Sequence, residues 1–403
     1  MASQAITFSE TKQGKGFFAL LAVLGVFLLL GAIAFFHAEH HGHYVTGMNN
    51  QVVWGMPHVF AIFLIVAASG ALNVGSIGTV FGKKLYQPMG RLSALLAISL
   101  LVGGLIVLVL DLGHPDRLIV AMTTYNFKSI FAWNIILYNG FIALSAIYIW
   151  TMMDRHAKDF YKPAGVAAFT WRLILTTGTG SIFGFLVARE FYNSAILAPL
   201  FIAMSFVFGL AVFILVLYFA YKWTGRELGD VVLNRLRYLL AVFIGAVLLL
   251  ELARHLTNLY IAQRVGVEAF ILRDGGIYTQ LFWVVQILLG SILPLSLIFC
   301  RKLKNNHVAL LLAAVFAIIG GLAQLYVILI GGQAYPLTLF PGAEVSSDYF
   351  DGAINSYSPS IWEIMLGVGG VALALVMVTI GVKVLRFLPQ SLSDKVADPH
   401  GGK

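Results

Sequence analysis

Between residues 17 and 387 the chain runs through one stretch of about twenty apolar residues after another, parted only by short polar breaks. A stretch of that length matches the hydrocarbon thickness of a bilayer when wound as an α-helix. Its backbone polar groups are then satisfied internally, as a lipid environment demands. A membrane β-barrel would show segments of about ten residues with alternating polarity, and the sequence has none. Only 11% of residues are charged and 60% are hydrophobic, whereas about a quarter of a soluble domain is charged. The pattern therefore predicts an all-α polytopic membrane protein.

Ten spans can be placed, near 17–36, 55–81, 92–112, 130–153, 165–188, 195–221, 236–260, 278–300, 307–331 and 361–387. The first reads as a retained helix rather than a cleaved signal, because its apolar stretch is too long for a signal h-region. Residues 1–16 and 388–403 flank a single membrane domain, 17–387. The second flank is polar, with Pro, Gly and Ser, and is expected to be disordered. Ten spans put both termini on one side. The termini and the loops at 82–91, 154–164, 222–237 and 301–306 hold roughly nineteen of the 26 Lys and Arg, and the opposite loops about six, which by the positive-inside rule makes the termini cytoplasmic. In a bacterial inner membrane the opposite face is periplasmic. It carries the two longest loops, 37–54 and 332–360, the expected docking surface for a partner. The basic excess belongs to the membrane topology and does not point to nucleic acid. The single cysteine, Cys300, excludes a disulfide framework and a cysteine-ligated iron–sulfur cluster.

Ionisable groups inside a bilayer cost several kcal/mol unless paired or hydrated, so their positions carry information. His58 opens span two. Asp111 and His114 end span three, in the run VLVLDLGHPDRL (107–118). Arg189 and Glu190 end span five. Glu251, Arg254 and His255 end span seven, and Glu363 opens span ten. All fall at the periplasmic end. Glu251 lies i,i+3 from Arg254 and i,i+4 from His255, so the three share a helix face; Asp111 and His114 are also i,i+3. Isolated arginines at such depths commonly snorkel into the headgroups, but short carboxylates reach poorly. A carboxylate–histidine set beside an apolar slot suits quinone chemistry, which moves two protons with two electrons and needs groups that titrate near neutrality. Asp111, His114, Glu251 and His255 are the expected proton-handling groups. Trp54, His58, Arg117, Arg189, Glu190, Arg254 and Glu363 are the expected binding groups, with Arg117 paired to a carboxylate such as Asp116 or Glu190.

Weaker features admit plainer readings. The cluster His37, Glu39, His40, His41, His43 matches no closed zinc spacing and reads as a hydrated loop. Thr176–Ser181 with Gly184 resembles a phosphate loop but lies inside an apolar helix without the lysine, so Gly180 and Gly184 read as close helix packing. The mid-span amides Asn73, Asn134, Gln286 and Gln324 read as interhelical hydrogen bonds. VLVLDLGHPDRL is echoed by VLLLELARHLTNL (247–259), as though spans 2–5 and 6–9 were two related four-helix bundles. A secondary transporter or proton channel is the competing class, but its site belongs near the midplane on broken helices. A cytochrome b needs facing histidine pairs, whereas His58, His114 and His255 share one level.

Trp54-Gly55-Met56-Pro57, the motif Asp111-Leu112-Gly113-His114-Pro115-Asp116-Arg117, and Tyr357–Ile364 leading into Gly367–Gly370 together resemble the NrfD/polysulfide-reductase C family of membrane subunits. Within it the chain looks most similar to the DsrP type, from a dissimilatory sulfur-metabolism complex. The resemblance covers about residues 45–388. It implies a quinone-interacting subunit without haem or iron–sulfur cluster of its own, taking menaquinone or ubiquinone as exchangeable substrate. It also implies a periplasmic iron–sulfur partner and further redox subunits, cytochromes among them. The family motifs fall on Trp54, Asp111, Pro115 and Arg117; the family pattern carries an arginine where His114 stands here.

Overall fold

The computed structural model describes residues 6–11, 14–337 and 353–397. Its main elements are ten long helices: α1 Lys15–His41, α2 Met56–Thr79, α3 Gly90–Leu110, α4 Ile130–Met153, α5 Tyr161–Gly184, α6 Leu197–Thr224, α7 Asp230–Tyr260, α8 Ile277–Phe299, α9 His307–Ala334 and α10 Ile361–Val384. Among the described residues, nine of them are long and apolar enough to cross a membrane. The remaining one, α5, is 24 residues long, which spans about 36 Å. It is less apolar because it carries Lys162 and a wholly buried Arg172. Among the described residues the only β pairing is two isolated bridges.

Local chemistry starts several of these helices. Pro57 occupies the first turn of α2, where its missing N–H is not needed. Asn306 caps α9 by accepting from the Val308 and Ala309 amides. Ser360 and Glu363 form a reciprocal capping box at the start of α10.

The packing runs in two rings. Helix α2 packs on α3 and α5, α3 on α4, and α4 on α5; α6 packs on α7 and α9, and α8 on α7 and α9. The rings meet where α6 lies against α2 and α5. Contact there is backbone to backbone: a methyl on Gly70 would strike the Ser205 carbonyl, and one on Gly209 the backbone of Gly70 and Ala71. Small residues allow such approach, which is how helices associate where lipid offers no hydrophobic drive. Gly180 packs in the same way against the start of α6, its added Cβ meeting the Leu197 carbonyl and Ala198. Helix α10 covers α2 and α3 from outside, and α1 packs on α10.

Residues 7–10 and 388–392 lie together at one end. Phe8 bridges Pro389, the Gln390 amide donates to the Thr7 carbonyl (2.9 Å), and Arg226 binds the carbonyls of Leu388, Pro389, Ser9 and Glu10. Leu388 and Leu392 are buried, and Asp394 accepts from the Val231 amide (2.9 Å). The expectation of a disordered tail is thus wrong for residues 388–397: the buried Leu388 and Leu392 and the carbonyl-seeking Arg226 pin a polar segment to the loop between α6 and α7.

Candidate functional site

The expected site residues gather at the other end, around the 42–58 segment, the mouths of α3 and α5, the end of α7 and the start of α10. They form three groups.

The first joins α2 to α3. His58 Nδ1 stands 3.0 Å from Asp111 Oδ2, with Asp111 4% and His58 20% exposed. Neither atom has an aligned hydrogen bond with any described residue, so the pair is close in distance but not in angle. Asp111 is the C-cap of α3, and Gly113 at φ +71° turns the chain away. The i,i+3 relation between Asp111 and His114 therefore fails, because that spacing holds only while the helix continues. His114 is exposed and sits 3.7 Å from Asp116, also exposed. Arg117 is exposed and forms no ion pair with Asp116, Glu190 or any other described residue, contrary to expectation.

The second group holds the 42–58 segment in place. Gln333 Oε1 accepts from the Val53 and Trp54 amides (both 2.9 Å), and its Nε2 donates to the Trp54 carbonyl (3.0 Å). Arg189 donates to the carbonyls of Gln333 (2.9 Å) and Gln51 (3.1 Å). Trp54 packs edge-on to Phe183 and beside Phe131 and Tyr192. Glu363 accepts from the amides of Gly47 (2.8 Å) and Ser360 (2.7 Å) and from the Tyr357 hydroxyl (2.7 Å), which itself accepts from the Met56 amide. A methyl on Gly55 would collide with Glu363 Oε1, so the Trp-Gly pair needs its glycine for close approach. Burial, reinforced by the Glu363 carboxylate, pushes the Tyr357 phenol up and keeps it a donor. Glu190 is exposed and stands near Tyr335.

The third group lies on α7. Glu251 Oε2 is 3.6 Å from Arg254 and 3.5 Å from His255 Nε2, as the helical spacing predicts. Glu251 Oε1 accepts from Gln286 (3.1 Å) and Gln324 (2.6 Å). Gln286 lies in a π-wound stretch of α8, Leu281–Ile292, and Gln324 just precedes another in α9, Val327–Gly331. Such windings are found often at functional sites. A cavity of about 20 Å³ beside Glu251, Gln286, Ser291 and Gln324 is large enough for one water. On its other side His255 Nδ1 meets Glu268 Oε2 at 2.6 Å, and Glu268 Oε1 accepts from Asn258 (2.7 Å).

Glu268, Asn258, Gln333 and Arg172 escaped the sequence reading. Glu268 is wholly buried in the short helix Val265–Ala269 of the α7–α8 connector. No local pattern marked it, since Gly266, Val267 and Ala269 around it show no repeat. Arg172 donates to Asn73 Oδ1 (2.8 Å) and lies over Phe169 and Phe206 midway along α5; a lone arginine inside an apolar run was the clue. In the histidine-rich stretch the rings of His37, His40 and His41 lie together, 4.4 Å from His37 to His41 and 5.0 Å from His40 to His41; His37 also stacks on Trp362 (3.9 Å), and His43 lies against Gly113.

Helices of bilayer length, with carboxylate–histidine pairs drawn from several of them to one end, define a polytopic all-α membrane protein. The profile of the polysulphide reductase NrfD family matches residues 44–336. The chain belongs to that family. It is 27% identical, over 95% of its length and 96% of the relative's, to the Hdr-like menaquinol oxidoreductase integral membrane subunit of Archaeoglobus fulgidus. It is 26% identical to a selenate reductase subunit of Mesobacillus selenatarsenatis, covering 89% and 92% of the two chains. It is 27% identical to a putative dimethyl sulfoxide reductase membrane subunit of Halobacterium salinarum, covering 96% and 94%.

Proposed function

We propose that the chain is the membrane subunit of a multi-subunit redox complex and exchanges electrons between the quinone pool and a periplasmic iron–sulfur partner. The observation that carries this reading is the His58–Asp111 pair. Two buried groups, able between them to donate and accept a proton, face each other at the mouth of two helices with hydrogen-bonding capacity unspent. A buried polar group left unsatisfied is costly, and a quinone oxygen arriving between the two would complete both. Trp54, fixed by Gln333, borders the segment that leads into His58 and offers the ring an aromatic wall. Asp111 then takes or gives the proton, and His58 orients the carbonyl. Glu251, His255 and Glu268 form a second proton-holding set on α7, and the two helix rings are two related bundles, each with one such set.

The A. fulgidus relative, a menaquinol oxidoreductase subunit by description, favours menaquinone over ubiquinone. Placement in dissimilatory sulfur metabolism rests on the DsrP-like sequence features, and ten spans with cytoplasmic termini in a bacterial inner membrane rest on the loop charges. The chain works with its redox partners rather than alone.

The test is turnover per assembled complex. Asp111→Asn keeps the side-chain size and removes the titratable group. Quinol-linked electron transfer falls by about 10²-fold or more if Asp111 is a general base, while assembly is unchanged. Lowered assembly with normal turnover in each surviving complex would show that Asp111 only caps α3. Co-purifying iron–sulfur subunits would support the partner; a chain that purifies only with transport proteins would refute it.

A further inference from the structure

A second pocket, of about 250 Å³, opens beside the end of α7. Its wall includes Arg254, Thr257, Arg264, Asn193, Ser194 and Ile196. None of the residues on that wall carries a carboxylate. Three positive features converge there. Arg254 is 3% exposed, yet its Nε and Nη2 have no hydrogen-bond partner among the described residues. Its only ionic neighbour among those residues is Glu251 at 3.6 Å, through Nη1. Arg264 is half-buried and held rigidly, with Nη1 on Asn258 Oδ1 (3.0 Å) and Nη2 on the Asn193 carbonyl. Residues 193–196 lead into the N-terminus of α6, a 28-residue helix, whose dipole favours negative charge.

A buried guanidinium with two idle donors is expensive in a membrane protein. An acceptor held in the pocket would offset that cost. The Phe191 ring at 5.6 Å covers one face of Arg254 but takes no hydrogen bond. Arg254 itself forms part of the pocket wall.

We infer that this pocket binds a phosphate-type anion, with Arg254 and Arg264 as the paired donors and the α6 N-terminus behind them. Guanidinium groups match tetrahedral oxyanions with directed, charge-assisted hydrogen bonds. The phosphodiester of an anionic phospholipid supplies that chemistry, and so does free phosphate. The inference does not depend on the quinone assignment at His58 and Asp111.

The full chain in nanodiscs of phosphatidylcholine with phosphatidylglycerol is released into the gas phase, and native mass spectrometry reads the lipid that stays bound. Wild type retains one phosphatidylglycerol in preference to phosphatidylcholine. Arg264→Gln weakens that retention by about tenfold or more, the effect of losing one charge-assisted hydrogen bond. Thr257→Glu is the second variant: its position is exposed, so the fold tolerates it, and it sets a carboxylate on the pocket wall. It weakens retention to at least the same extent. Arg273→Gln, in an exposed connector, leaves retention unchanged. If inorganic phosphate raises the thermal stability of wild type but not of Thr257→Glu, and phosphatidylglycerol does neither, the anion is the free one. Equal lipid retention and equal phosphate response in wild type, Arg264→Gln and Thr257→Glu overturn the site. So does displacement of nothing but a neutral quinone.

Discussion

Replacing Glu268 by alanine removes the one carboxylate that two buried groups share. His255 Nδ1 and Asn258 Nδ2 reach it at 2.6 and 2.7 Å, and Glu268 itself is wholly buried. The loss leaves two donors with no acceptor. Each costs about 1–3 kcal/mol as an unsatisfied buried group, and the charge-assisted one lies at the upper end. Breaking a buried ionic pair by removing one partner costs about 3–5 kcal/mol. The two figures describe the same event, so about 4 kcal/mol is expected rather than their sum. Glu268→Gln should cost far less, about 1 kcal/mol. The amide oxygen still accepts from Asn258, and His255 can change tautomer so that Nδ1 accepts from the new NH₂. Its Nε2 proton then faces Glu251, 3.5 Å away. Unfolding of the purified protein in mixed micelles, titrated with denaturing detergent and followed by tryptophan fluorescence, gives both differences. Alanine and glutamine variants that agree within about 0.5 kcal/mol would show that the carboxylate does not hold the α7–α8 connector to α7, since the reasoning requires a gap several times larger.

Other outcomes follow from the same structure. Gly70→Ala should yield almost no monodisperse protein on size exclusion, because the methyl meets the Ser205 backbone rather than a side chain able to move; normal yield would mean that the two helix rings are not in backbone contact. Gln333→Ala removes every polar anchor on the Trp54 peptide and should raise the KM for quinol several-fold with little change in assembly, read by steady-state kinetics of the complex. Cys300, the only cysteine, is exposed at the end of the molecule that holds the termini. With those termini cytoplasmic, a membrane-impermeant maleimide should label it only after the cells are opened, and labelling of intact cells would invert the topology. Asp394→Ala should free the segment after Leu392 and make it the first site of limited proteolysis.

The helices were legible because hydropathy over twenty residues is a strong, local signal. The predicted span at 130–153 coincides with α4, and that at 307–331 falls three residues short of α9. The depth of the ionisable groups was legible for the same reason, as was the shared face of Glu251, Arg254 and His255, which helix geometry alone dictates. Partners across helices were not. Nothing local says that α2 stands beside α3 with His58 level with Asp111, or that Glu251 will find Gln286 and Gln324. Those meetings depend on how whole helices pack. His114 was misplaced because Gly113 ends the periodicity on which its assignment relied. Glu268 was hidden in a connector too short to show an amphipathic repeat. The expected docking loop, 332–360, lies largely outside the described residues.

The pairing of α1 with α10 sets a timetable for synthesis. Of the ten helices α1 is made first, yet its packing partner is the last of the ten. Throughout translation α1 has to persist in the bilayer as a lone segment. Its composition suits that wait: between Gly16 and Phe36 it carries no charged residue, and its most apolar stretch is only 17% buried even in the finished molecule. A helix hydrophobic all round is stable in lipid without a neighbour. The clasp between residues 7–9 and 388–390 likewise closes only after α10 has been made. A nascent chain halted before Ile361 should therefore hold α1 loosely, open to cross-linking by lipids and by the insertion machinery. Completion of α10 would be the event that releases the subunit to its partners.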